Sequence, residues 1–190
     1  MNIGLYFGTF NPIHVGHMII ANHMVEFSDL DEVWFVVTPH NPFKKKSTLL
    51  DDYHRLDIVQ RAIKNYDHLR ASDIEFNLPQ PNYTSRTMVA LEEKFTMHKF
   101  ALIMGQDNLE SFHKWKNHEA LIDNHKIFVY PRPNTGESVY SEHKNVIHIN
   151  APLMEIAATD IRNAIKEGKN VKPLLPEGIW EYIDHQNFYR

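Results

Sequence analysis

Phe7-Gly8-Thr9-Phe10-Asn11-Pro12-Ile13-His14-Val15-Gly16-His17 joins a strand pattern to a helix pattern through one turn. Upstream, Ile3, Leu5 and Phe7 alternate onto one face, and Gly8 and Pro12 interrupt the run. Downstream, Met18, Ala21 and Val25 recur at i, i+3 and i+7, the spacing of a helix with one apolar face. A strand passing through a tight turn into a helix is how an alternating α/β chain begins.

The alternation continues. Val33 to Val37 is an unbroken apolar run, as a parallel strand covered on both faces requires. Asp51 or Asp52 can cap a second helix striped by Leu56, Val59 and Ile63. A helix around 85 to 96 carries Met88, Leu91 and Phe95, and Phe100 to Met104 reads as another buried strand. Ile127 to Tyr130 and Val146 to Ile149 are further strand candidates, and two short helices, Thr159 to about Lys166 and Glu177 to His185, close the chain. With no repeat and no long linker, residues 1–190 predict a single domain of α/β class: a Rossmann-like, doubly wound, mostly parallel sheet with helices on both faces. Such sheets bind ligands beyond the carboxyl ends of their strands.

Among 190 residues there is no cysteine, which excludes disulfides, thiolate nucleophiles and cysteine-ligated metal centres. No stretch approaches the roughly 20 apolar residues of a membrane span, and Met1 leads straight into the first strand, so a cytoplasmic protein without a membrane partner is expected. A net charge of -4 offers no general attraction to nucleic acid, so any phosphate binding must be local. Segment 39 to 50, rich in Pro, Asn and Lys, reads as a mobile lid whose lysines nucleotide phosphates would neutralise.

The first turn contains neither the G-x-G-x-x-G dinucleotide fingerprint nor a P-loop, which argues against redox use of the site and against P-loop chemistry. It does contain Gly8, where a ligand can approach the backbone, and two imidazoles, His14 and His17, where a helix begins. Helix starts favour anions through unpaired N–H groups and the positive end of the dipole, so the pair suits a polyphosphate. The same spacing also fits a metal pair or ordinary capping histidines, and a total of thirteen histidines keeps the metal reading open. A zinc site would need a third ligand in an identifiable setting, and none of the other histidines has one.

Other motifs narrow the choice. Gly8-Thr9-Phe10-Asn11-Pro12 followed by His14-Val15-Gly16-His17 resembles the signature of the nucleotidyltransferases that use an H-x-G-H motif, specifically the bacterial nicotinate mononucleotide adenylyltransferases. Asn82-Tyr83-Thr84, Gly105-Gln106-Asp107 with Trp115 ten residues after the glycine, Arg132 between two prolines, and Ile156-Ala157-Ala158-Thr159-Asp160-Ile161-Arg162 follow in that family's order. Together they span residues 8 to 162.

The resemblance implies an enzyme of NAD biosynthesis: adenylyl transfer from ATP to nicotinate mononucleotide, giving nicotinate adenine dinucleotide (deamido-NAD) and pyrophosphate. Its nucleophile, a phosphate monoester, is already ionised near neutral pH and needs no general base. Alignment and charge stabilisation then carry catalysis, which suits a site of His, Arg and Lys with no Ser-His pair. By resemblance, His14, His17 and Arg162 are the catalytic residues: the histidines face the ATP phosphates and Arg162 clamps the β- and γ-phosphates. Gly8, Thr9 and Phe10 lie against the nucleotide, Gly105 and Asp107 bind ATP with Asp107 accepting from its ribose diol, Thr159 caps the helix of Arg162, and Lys44 belongs to a basic loop that closes near ATP. Tyr83, Thr84, Trp115 and Arg132 bind the mononucleotide, with Trp115 stacked on the pyridine ring. Mg2+ is expected with ATP, held by phosphates and water, and no residue is nominated as a metal ligand. Ala157 and Ala158 stand where the family often has serines, so no hydroxyl contact is expected there. Related enzymes acting on nicotinamide mononucleotide or phosphopantetheine would share the first motif, and a non-catalytic nucleotide-binding regulator would need affinity without in-line geometry.

Overall fold

In the computed structural model, residues 1–39 and 49–190 are described. Six strands, β1 Asn2–Gly8, β2 Glu32–Val37, β3 Leu69–Ser72, β4 Lys99–Gly105, β5 Ile127–Tyr130 and β6 Val146–His148, form one sheet in the order β3-β2-β1-β4-β5-β6. Every neighbouring pair is parallel, so the sheet is wholly rather than mostly parallel. The chain builds outward from β1 to β3 and then restarts on the other side of β1 at β4. This leaves a crevice at the carboxyl ends of β1 and β4, where doubly wound sheets bind ligands.

Strand parity decides which helices cover which face. Tyr6, Phe35, Ile103 and Phe128 share one core with α1 Val15–Phe27, α2 Asp52–Ile63, α6 Ala158–Lys166 and α7 Ile179–His185. Ile3, Leu5, Trp34, Val36, Leu102 and Val129 share the other with α3 Thr84–Lys94, α4 Gln106–Glu110 and α5 His118–Asn124. Both faces being covered, all six residues of β2 are buried, as its continuous apolar run requires. β3 was not foreseen in the sequence, because Leu-Arg-Ala-Ser at a sheet edge buries only Leu69 and carries no alternating pattern.

Several local expectations are refined. Asp51, not Asp52, is the N-cap of α2 and accepts from the Tyr53 N–H at 3.0 Å. Phe95 lies just past α3 as its C-cap. Thr159 is not a cap: α6 begins at Ala158 with the extended Ala157 as N-cap, which has no hydroxyl to offer, and Thr159 sits inside the first turn. The expected lid at 39 to 50, with Lys44, lies almost entirely outside the described residues.

Candidate active site

β1 ends at Gly8, and Phe10 takes a positive φ of 45° that turns its ring back over that glycine. A Cβ on Gly8 would stand 2.8 Å from Phe10 Cζ, so the turn needs glycine there. The Phe10 ring is itself core, 2% exposed and edge-on to Tyr6 and Phe35. Any contact from Phe10 to a nucleotide therefore comes from its main chain.

His14 is the N-cap of α1. Its backbone N–H donates to His17 Nδ1 at 3.2 Å, and the two rings stack with centroids 3.7 Å apart. With Nδ1 accepting, a neutral His17 carries its proton on Nε2, which makes that atom a donor. Gly16 lets the His14 ring fit: a Cβ at position 16 would meet His14 Nδ1 at 3.0 Å. Burial, reinforced by the positive charge of Arg132, lowers the His14 pKa to about 4, so this imidazole is neutral at pH 7.

Arg162, far along the chain on α6, reaches this turn. Its Nη1 donates to the Asn11 carbonyl at 2.7 Å and its Nη2 to Thr159 Oγ1 at 3.2 Å. Arg55 holds the same region from beneath. Its guanidinium is fully buried and donates to the carbonyls of Thr9 at 2.6 Å and Thr38 at 2.9 Å, while pairing with Asp52. A buried arginine is tolerable only when its N–H groups are satisfied, and here they pin the ends of β1 and β2 to α2. An arginine in a helix pattern reads as solvated, so nothing in the sequence pointed to this anchor.

At the end of β4, Gly105 is the N-cap of α4, and a Cβ there would lie 2.3 Å from Asp107 Oδ1. The Asp107 carboxylate faces Arg132 Nε at 3.7 Å, and Arg132 also donates to the Met154 carbonyl at 3.3 Å. Arg132 thus sits by Asp107 and acts on His14, outside the lining of the cavity formed by the other three mononucleotide candidates.

That cavity measures about 660 Å³ and is lined by Tyr6, Gly8, Thr9, Thr38, Glu75, Asn82, Tyr83, Thr84, Lys114, Trp115, Lys116 and Tyr130, among others. Trp115 packs on the buried Phe112 ring at 5.4 Å, which steadies one edge of the indole. Tyr83 is the N-cap of α3, so Thr84 presents the first N–H of that helix. Arg86, on the exposed side of α3, and Lys116 lie over the Tyr83 ring at 5.7 Å and 4.7 Å. Tyr6 connects the cavity to the histidines: its hydroxyl donates to that of Tyr130 at 3.1 Å, and its ring is 5.9 Å from that of His17. Glu75, unforeseen from sequence, is a buried carboxyl in the lining. Its burial is imposed by α3 and β2, and the stretch around it carries no motif.

Of the expected residues, the structure gathers Gly8, Thr9, Tyr83, Thr84 and Trp115 at the cavity, His14, His17, Arg162 and Thr159 at the turn of α1, and Gly105, Asp107 and Arg132 at the end of β4. Lys44 lies outside the described residues. Among those residues, no three of His, Asp or Glu are grouped to hold a metal ion, and no helix is long and apolar enough to cross a membrane.

A parallel sheet with a histidine pair at the first helix and a large cavity at the switch point defines a nucleotidyltransferase, and the chain belongs to the cytidylyltransferase-like family, whose model matches residues 5–164. It is 60% identical, over the whole of both chains, to proteins named "Probable nicotinate-nucleotide adenylyltransferase" from Flavobacterium psychrophilum and Flavobacterium johnsoniae. Its fold is that of the Plasmodium falciparum nicotinic acid mononucleotide adenylyltransferase complexed with NaAD, with a TM-score of 0.82 over 99% of this chain and 97% of that one at 18% identity.

Proposed function

We propose that residues 1–190 act as one cytoplasmic nucleotidyltransferase domain that transfers the adenylyl group of ATP to nicotinate mononucleotide, a step of NAD biosynthesis. A 5'-phosphate oxygen of the mononucleotide attacks the α-phosphorus of ATP, the new O–P bond forms, the bond to the β-phosphate oxygen breaks, and pyrophosphate leaves. The observation that carries this reading is a single cavity lined by Tyr83, Thr84 and Trp115 together with Gly8 and Thr9, one ring away from His17.

The residues divide the work by their chemistry. His17 Nε2 donates to the α-phosphate, while neutral His14 braces it without adding charge. Arg162, steadied on Asn11 and Thr159, offers its remaining N–H groups to the β- and γ-phosphates. Asp107 accepts from the ATP ribose diol, and Arg132 neutralises the mononucleotide phosphate where it meets the α-phosphate. Trp115 stacks on the pyridine ring, and the first N–H groups of α3 meet its carboxylate. MgATP is the substrate form, its metal carried by phosphate oxygens and water.

Pyrophosphate release with ATP and a panel of mononucleotides tests the reading. Nicotinate mononucleotide is expected to be the preferred acceptor, and release with none of the panel would overturn it.

A further inference from the structure

Three buried side-chain atoms without a hydrogen-bond partner, Glu75 Oε2, Asn82 Oδ1 and Ser85 Oγ, fall within segment 75–85. Four residues of that segment, Glu75, Asn82, Tyr83 and Thr84, line the cavity. Unpaired buried polar atoms are costly, and where they cluster beside a cavity they mark a place that a ligand or ordered water completes.

Glu75 is the outstanding member. It is 2% exposed and is the one carboxyl side chain among the described residues lining the cavity. Its Oε1 accepts from Thr87 Oγ1 at 2.7 Å, and its main-chain carbonyl accepts from Asn82 Nδ2 at 3.0 Å. The side chain is thereby fixed against the turn that opens α3, with Oε2 left over. Burial raises its pKa, opposed by the hydroxyls of Thr87 and Thr38. The other charged or titratable groups of the lining are Lys114 and Lys116, both exposed, the phenol of Tyr83 at the start of α3, and the phenols of Tyr6 and Tyr130, which burial keeps protonated.

The two forms of Glu75 have opposite preferences. With its proton, it has an O–H to donate, which matches a carboxylate that can only accept; ionised, it repels a carboxylate and accepts from an amide NH2. Resting on the proposed function, and naming what selects the substrate there, we propose that Glu75 is a specificity-determining residue of the pyridine pocket: protonated it favours the acid ring, and deprotonated it favours the amide.

The test is the ratio of kcat/KM for nicotinate and nicotinamide mononucleotides at saturating ATP, measured from about pH 5 to pH 9, where buried glutamates can titrate. Both substrates carry the same phosphate and use the same histidines, so those titrations cancel in the ratio. The wild-type ratio is expected to fall by about tenfold or more as pH rises through the ionisation of Glu75. Glu75→Gln, neutral at every pH, should flatten the profile, and Thr87→Val, which removes the donor that favours the carboxylate, should move the fall to higher pH. A wild-type ratio that does not change with pH, or an equal slope in Glu75→Gln, would overturn the role of Glu75 while leaving the enzyme's activity in place. Should Glu75→Gln fail to fold, an unmoved profile in Thr87→Val would overturn it. Turnover of neither mononucleotide would instead be a failure of the proposed function.

Discussion

Arg162 Nη1 lies 2.7 Å from the main-chain oxygen of Asn11, joining the second turn of α6 to the loop that follows β1 across 151 positions of sequence. The second arm of the same guanidinium rests on Thr159 Oγ1. Two fixed acceptors set the plane of the group, and its other N–H donors are the ones the proposed reaction would turn to phosphate oxygens.

Lysine cannot span two such acceptors and still present a fork. Arg162→Lys is therefore expected to lower kcat/KM for ATP by roughly a hundredfold, the equivalent of about 2 to 3 kcal/mol of charge-assisted bonding. Steady-state pyrophosphate release measures it, and activity within about threefold of wild type would reduce Arg162 to a structural tie.

His17 is placed as a donor by its own backbone contact, since His14 N–H occupies Nδ1. His17→Ala should lower kcat by about a hundredfold, in line with about 3 kcal/mol for one donor at developing charge. Far-ultraviolet circular dichroism should be unchanged. A modest loss of rate with a large rise in the KM for ATP would point to ground-state binding instead.

The neutral state of His14 couples stability to acid. Its pKa is lowered from 6.5 to about 4 in the folded chain, so the unfolded chain binds the proton more tightly between those values. The contribution is complete above about pH 6.5 and is lost as pH falls toward 4. Between pH 7 and 4.5, urea denaturation should show wild type losing about 2 to 3 kcal/mol more than His14→Asn. Equal losses in the two proteins would mean that His14 is not held neutral by the fold.

Gly105→Ala separates function from stability. The added Cβ would lie 2.3 Å from Asp107 Oδ1 and 3.0 Å from Arg132 Cγ, in side chains that can swing away, and 3.3 Å from the buried Tyr130 ring, which must give by a few tenths of an ångström. The midpoint of thermal unfolding should fall slightly, while the KM for ATP rises by about tenfold as the ribose loses its acceptor, worth about 1.4 kcal/mol. An unchanged KM would remove Asp107 from the ribose site.

Local chemistry made much of this protein legible in its sequence. The apolar run of β2, the alternation of β1 and the helical stripes of α2 and α3 each express a period that survives whatever packs against it. The motifs at Gly8 to His17, Tyr83-Thr84, Gly105 to Asp107 and Arg162 are short-range patterns of the same kind, and they meet around the carboxyl ends of β1 and β4 because strand order brings them there.

What the sequence left undecided depends on partners distant along the chain. Arg55 is an ordinary helix arginine until the carbonyls of Thr9, Thr38 and Pro39 converge on it, and Glu75 an ordinary acid until α3 and β2 close over it. β3 is a strand because β2 offers it a ladder, and Ala157 caps α6 because the incoming backbone, not a side chain, sets where the helix starts. Sequence alone determined the elements that carry a clear period and the residue types at the turns, since these follow from local backbone preference and period. The tertiary structure decided which charges are buried, which donors are spent and which remain for a ligand, because desolvation and hydrogen-bond satisfaction depend on groups that meet only when the sheet has formed.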